Sequence, residues 1–133
     1  MRETSTGWKP DRRYDAGYVK WRFQMITTLV QFQMSTPITI EDATRRFESS
    51  APKYQNLPGL IRKYYIRSED GRAAGGIYLW ESRQAAEKVY SGEWRARVEK
   101  LYGGKPVITW FDSPVIVDNL MGGKIITDVS VLP

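Results

Sequence analysis

The sequence predicts an α+β domain in which helices cover one face of a four-stranded antiparallel sheet, in the order β-α-β-β-α-β. Three observations predict it. Four short runs rich in β-branched and aromatic residues carry a period of two. Stretches with apolar residues three and four apart separate the first run from the second and the third from the fourth. A tight turn, Glu69-Asp70-Gly71-Arg72, joins the middle two runs as a hairpin.

Each element has its own signal. Ile26, Thr28, Val30, Phe32 and Met34 alternate with Thr27, Leu29, Gln31 and Gln33, which reads as a first strand over 25–34. Ser35-Thr36-Pro37 interrupts it. Thr39 is placed to cap a helix over 40–54, with Asp42 completing a short capping box and Ile40, Ala43, Phe47 and Ala51 at helical spacing. Pro52 should loosen its last turn. Leu60–Ser68 and Ala74–Trp80 form the hairpin strands, and Gly75-Gly76 suits a bulge or a close backbone approach. Ser82 caps a helix carrying Ala85, Ala86, Val89 and Tyr90. Ser91-Gly92 breaks it, and a second helical stretch carries Trp94, Val98, Leu101 and Tyr102 up to a Gly103-Gly104 stop. Val107–Asp112 is the fourth strand, and past Pro114 the residues Val115–Val117 are expected to continue it at an edge. A last β-prone run, Lys124–Leu132, follows Gly122-Gly123 and needs a strand partner.

An antiparallel sheet with one wet face should alternate cleanly between apolar and polar residues. Strands two to four do not: Ile61/Tyr65 and Leu60/Tyr64/Ile66, Ile77/Leu79 and Tyr78/Trp80, Val107/Phe111 and Ile108/Trp110 are apolar on both sets. The second face therefore needs cover, and the simplest cover is a second copy, sheet against sheet, in a homodimer. The competing expectation is a monomer covered by its own C-terminal strand and N-terminal arm.

Composition narrows the chemistry. The 133 residues include no Cys and no His. That excludes disulfides, thiolate or imidazole metal sites, a Cys nucleophile and a Ser-His-Asp triad. No apolar run approaches the length that crosses a bilayer. The net charge of +5 is uneven: residues 1–24 hold six Lys/Arg against three acids, whereas residues 25–133 hold 14 against 12. A body so nearly balanced reads as a mixed solvated surface and not as a nucleic-acid footprint. Three parts are expected: a basic aromatic arm (1–24), an α+β domain (25–120) and a C-terminal β extension (121–133). The arm has no apolar period and should be dispensable for folding. It lacks a secretory h-region, so a cytoplasmic location is expected.

Four segments carry a family resemblance: Pro58-Gly59-Leu60, Lys63-Tyr64-Tyr65, Gly75-Gly76-Ile77-Tyr78-Leu79-Trp80, and Phe111-Asp112-Ser113-Pro114-Val115-Ile116-Val117-Asp118-Asn119. Together they resemble the YdhR-like mono-oxygenases. Those belong to the dimeric α+β barrel superfamily, which includes antibiotic-biosynthesis mono-oxygenases. The resemblance spans roughly residues 25–120. It implies a ferredoxin-like protomer whose sheet pairs with a second sheet to make a dimeric barrel, with a pocket between sheet and helices.

Some members of that superfamily oxygenate aromatic molecules without metal or flavin. An electron-rich phenol or hydroquinone is deprotonated, and its anion passes an electron to dioxygen. The protein must hold the ring, stabilise the anion and exclude water. The resemblance thus implies a cofactor-independent mono-oxygenase acting on a small aromatic or quinol-like molecule, while the charge balance and the lack of a long apolar run imply no nucleic-acid or membrane partner. The pocket candidates are Arg62 as an anion partner, Tyr64 and Tyr78 as hydrogen-bond donors, and Trp80, Trp94 and Trp110 as apolar walls. Ordinary core packing competes for each aromatic, and a snorkelled surface position competes for Arg62. No residue stands out as catalytic. A non-catalytic dimeric ligand-binding or accessory module is the alternative function, and the scaffold could also host an isomerase or decarboxylase.

Overall fold

The structure, a computed structural model, describes residues 24–127. Its elements run β1 (Ile26–Gln33), α1 (Ile40–Ser50), a 3₁₀ turn (Ala51–Tyr54), β2 (Leu60–Arg67), β3 (Ala73–Trp80), α2 (Arg83–Val89), α3 (Gly92–Tyr102), β4 (Val107–Asp112), β5 (Ile116–Asp118), a second 3₁₀ turn (Asn119–Met121) and β6 (Lys124–Ile126). The first four strands make one antiparallel sheet in the order β2-β3-β1-β4. This is the ferredoxin-like α+β plan.

The helix ends follow their capping residues. Thr39 Oγ1 accepts from the Asp42 amide, Ser82 Oγ from Ala85 and Ser91 Oγ from Trp94, so each serine or threonine satisfies an otherwise orphaned N–H. Gly103 ends α3 with φ 78°, a left-handed cap. Pro52 does loosen the end of α1, where the chain tightens into the 3₁₀ turn that carries Tyr54. Ile40 departs from expectation: it is 60% exposed, and Ile38, just before the helix, is buried in its place.

Sheet pairing sorts the side chains. Ile26, Thr28, Val30 and Phe32 of β1 are buried, and they pair with Trp80, Tyr78, Gly76 and Ala74 of β3. With Ala43, Ala86, Tyr90, Trp94, Val98 and Tyr102 of the helices they form the core. Gly75 explains itself by contact: a Cβ there would stand 1.8 Å from the Val30 carbonyl oxygen, so only glycine lets β3 lie this close to β1.

Of the two alternatives for these glycines the close approach holds, and the bulge lies on the neighbouring strand. Leu60 pairs with Trp80, but Arg62 pairs with Leu79, so the register shifts by one residue between them. A one-residue shift exchanges the faces of everything beyond it. Lys63, Tyr65 and Arg67 therefore stand opposite Tyr78, Gly76 and Ala74 on the helix side. Arg62, Tyr64 and Ile66 stand opposite Leu79, Ile77 and Gly75 on the open side.

Beyond β4 the chain does not continue the main sheet. Past Pro114, β5 pairs with β6 in a separate two-stranded sheet, which corrects the expected edge extension. The proline lacks the N–H that an added ladder strand requires. Asp118 fixes this hairpin. Its carboxylate accepts from the amides of Leu120 and Met121 and, at 3.3 Å, from the Arg62 guanidinium. The N-terminal arm, and the last run beyond 127, lie outside the described residues.

Candidate functional site

The helix-facing side of the sheet carries a concentration of tyrosines. Tyr65 from β2 and Tyr78 from β3 meet Tyr54 from the 3₁₀ turn edge-on, with ring centroids 6.3 and 5.8 Å from it. Tyr65 stacks on Phe47, and its hydroxyl is 2.7 Å from Ser50 Oγ. Tyr102 stacks on Phe32. Trp94 Nε1 donates to the Tyr54 hydroxyl at 3.0 Å. Together Phe32, Tyr54, Tyr65, Tyr78, Tyr102 and Arg97 surround a small cavity between sheet and helices. Its internal space is about 20 Å³, room for one water. On the outside it meets a groove of about 450 Å³ that shares Tyr54 and Arg97 with it. Pockets that take small ligands run to about 300–1,000 Å³, so the groove has the size of one and the inner cavity does not. Lys53, Lys88 and Arg97 line the groove against Glu93 alone. That balance favours negative over positive charge in the groove.

Lys63 is the charged residue inside. Its Nζ lies 3.4 Å from the ring centroid of Tyr54, 3.8 Å from that of Tyr65 and 4.5 Å from that of Tyr78. Gly76 makes room for it, since a Cβ at that position would meet Lys63 Cε at 3.0 Å. Burial, with a smaller push from the like charge of Arg97, lowers the amine to about 6. The three ring faces favour the ammonium and work against that drop. The tyrosines move the other way: burial raises Tyr65, Tyr78 and Tyr102, so their hydroxyls stay protonated and serve as donors.

Behind Tyr78 lies a second polar cluster. Thr28, fully buried, has its Oγ1 2.6 Å from the Tyr90 hydroxyl and accepts from Trp80 Nε1 at 3.0 Å. Trp80 stacks on Tyr78, and Tyr90 packs against Trp94 and Trp110. Every polar atom named in this cluster has a partner. This is structural packing.

The six sequence candidates separate. Tyr78 borders the inner cavity and Trp94 the outer groove. Trp80 is core. Trp110 lies beyond Tyr90, with the Arg83 guanidinium 4.1 Å above its ring. Arg62 and Tyr64 are corrections. Both face the open side of the sheet, where Arg62 bonds Asp118 and Tyr64 is 54% exposed. An unbroken strand would have set them opposite Tyr78 and Gly76, in the pocket; the bulge put Lys63 and Tyr65 there. Sequence reasoning missed Lys63, Tyr54, Tyr65, Arg97 and Tyr102. Of these, Lys63 carried a usable signal: a lysine flanked by apolar and aromatic residues in a strand. Among the described residues no cluster of three carboxylate, Cys or His groups could hold a metal ion.

The ferredoxin-like sheet with its helices on one face defines the fold class, and comparison with known proteins agrees with it. The family described as "Putative mono-oxygenase ydhR" matches residues 28–108, and the chain belongs to that family. Among solved structures it is similar to a monooxygenase from the ActVA-Orf6 gene of Streptomyces coelicolor in complex with nanaomycin D. That match is 23% identical, covers 69% of this chain and 88% of that one, and has a TM-score of 0.53. It is also similar to SnoaB, a cofactor-independent oxygenase from Streptomyces nogalater (15% identical, 68% and 93% covered, TM-score 0.53). A third similar structure is described as a "putative antibiotic biosynthesis monooxygenase" from Caulobacter crescentus (21% identical, 71% and 93% covered, TM-score 0.53). At these identities the likeness concerns the fold. No curated protein matches the chain.

Proposed function

We propose that the protein is a cofactor-independent mono-oxygenase of a phenolic or quinol-like aromatic molecule, which enters by the groove and presents its hydroxyl to the tyrosine cluster. One observation carries this reading: protonated tyrosine hydroxyls and aromatic faces converge on a cavity under the helices, in a chain of a mono-oxygenase family. Tyr78 and Tyr54 suit hydrogen bonds to a developing phenolate, and the rings of Tyr65 and Tyr102 suit the exclusion of water. A ring must displace side chains to reach the inner cavity. A SnoaB-like oxygenase and a structure holding nanaomycin D among the fold neighbours support small-molecule oxygenation without deciding the substrate. The small closed cavity speaks for the alternative, a non-catalytic ligand-binding module.

The same proposal includes a homodimer formed by the open faces of two sheets. Tyr64, Val107 and Phe111 are 54%, 64% and 49% exposed there, around Leu29, Ile77 and Leu79. Apolar area of this kind is rarely left to water.

The test is oxygen uptake with 1-naphthol, followed by detection of 1,4-naphthoquinone. Enzyme-dependent consumption of one O₂ per quinone supports the reading. Tight binding of 1-naphthol without oxygen uptake would favour the non-catalytic module.

A further inference from the structure

We propose that the Lys63 amine is the catalytic base of this site, taking the phenolic proton of the substrate and returning it to the oxygen that leaves as water. The inference rests on the oxygenase reading and assigns the step that reading leaves without a residue. Oxygenation of a phenol by O₂ starts with loss of its proton, because the phenolate is a far better one-electron donor. A base for this work should titrate near the operating pH and stand within reach of the hydroxyl. The chain has no His. Burial makes Tyr65, Tyr78 and Tyr102 hold their protons too firmly to serve.

The geometry singles out Lys63. The β2 bulge turns it to the helix side, and Gly76 clears the space beside its Cε. Three tyrosine rings enclose its Nζ, and two of them carry hydroxyls suited to bind the same phenolic oxygen. The groups facing it are Tyr54 from the 3₁₀ turn, Ser50 from α1, Tyr65 from its own strand, Tyr78 from β3, and Arg97 and Tyr102 from α3. Among the described residues no carboxylate pairs with it. A lysine kept for stability alone would point its head to water or to an acid. This one is held among three ring faces, which can receive the ammonium that a base becomes.

The step balances with dioxygen as the oxidant. The phenol O–H bond breaks and its proton moves to Lys63 Nζ. The phenolate passes one electron to O₂, and the radical pair joins by a C–O bond at the ring carbon opposite the hydroxyl. The Lys63 ammonium protonates the outer peroxide oxygen. The neutral amine then removes the hydrogen of that ring carbon as the O–O bond breaks. The leaving hydroxide takes the proton from Nζ. A phenol and O₂ become a quinone and water, and Lys63 ends neutral as it began.

The experiment uses the full chain and three readouts. In ¹³C-lysine-labelled protein, the Cε signal that Lys63→Met removes should titrate near pH 6, where burial and Arg97 place the amine; a midpoint above pH 9 overturns the proposal. With 1-naphthol, Lys63→Met should lower kcat/KM by about 10²-fold or more and abolish the acid limb of its pH profile. Lys63→Arg keeps a cation but cannot accept a proton, so it should lose as much turnover. In the third readout 4-nitrophenol bound to wild type at pH 6 should absorb as the phenolate, and bound to Lys63→Met as the phenol. Lys63→Met that consumes oxygen as wild type does overturns the base and leaves the oxygenase standing. Wild type that consumes no oxygen overturns the oxygenase and this step with it.

Discussion

The two faces of the main sheet are almost equally apolar, yet they differ in the atoms they present. The helix side carries Thr28, Lys63, Tyr65, Tyr78 and Trp80, each with a donor or acceptor at the end of an apolar body. The open side carries Leu29, Ile77, Leu79, Val107 and Phe111, with Thr27, Gln31 and Thr109 scattered among them and Tyr64 and Arg62 at its edge. Hydroxyls and an amine in a shielded space can bind and move protons. A mostly apolar face with scattered polar groups is suited to being covered. On our proposal one sheet serves both as the floor of a reaction site and as half of a subunit interface.

Four substitutions would break or sharpen this contrast. The largest effect belongs to the helix side: Trp80→Ala removes a fully buried ring that stacks on Tyr78 and donates to Thr28, and should cost about 3–5 kcal/mol in urea unfolding. A loss under 1 kcal/mol would mean the core is not organised around it. On the open side, the double change Tyr64→Asp and Phe111→Asp should leave the fold intact and weaken self-association by about 10²-fold or more. Light scattering at micromolar concentration should then read 15.4 kDa in place of about twice that. A wild-type monomer under the same conditions would remove the interface from the contrast.

The third substitution tests the cost of placing an amine on the helix side. Between about pH 6, where the folded amine titrates, and about pH 10.4, its ordinary value, the unfolded chain carries one more proton than the folded one. Stability from this group therefore rises with pH across that window, and its penalty is complete below about pH 6. Lys63→Met should remove the slope and stabilise the protein by about 1–3 kcal/mol at pH 7. Chemical denaturation at pH 6, 7.5 and 9 would measure it, and a destabilised Lys63→Met would show the amine to be structural. The raised tyrosines act oppositely and above this range, where stability falls as pH climbs past about 10. The smallest effect is expected for Arg62→Ala. Arg62 is partly exposed, and the buried Asp118 carboxylate keeps its two amide donors, so the change should cost about 1–2 kcal/mol, and oxygen uptake should stay within about twofold of wild type.

How far the sequence reached depended on what each signal measures. Capping residues and periodicity act locally, so Thr39, Ser82, Ser91 and Gly103 marked their helix ends and Val107–Asp112 its strand correctly. The faces of β1 and β3 were also readable, since no irregularity interrupts their pairing. β2 was not. Both of its alternating sets mix apolar or aromatic residues with basic ones, so hydrophobic pattern cannot fix the register, and a single bulge after Leu60 exchanged Arg62 and Tyr64 for Lys63 and Tyr65. The site was legible as a place between sheet and helices, with Tyr78 and Trp94 on its walls. Its residues from the 3₁₀ turn and from α3, Tyr54 and Arg97, meet β2 only through tertiary packing. Nothing in local spacing joins them.

The most direct measurement compares matched tyrosines on the two faces. Tyr78→Phe and Tyr64→Phe each remove one hydroxyl from adjoining strands of the same sheet, one into the cavity and one into the open face. With 1-naphthol as substrate and oxygen uptake as the readout, the account predicts a loss of about 10-fold or more for Tyr78→Phe and no loss for Tyr64→Phe. Equal rates for the two, or a loss confined to Tyr64→Phe, would place the chemistry on the other side of the sheet and contradict it.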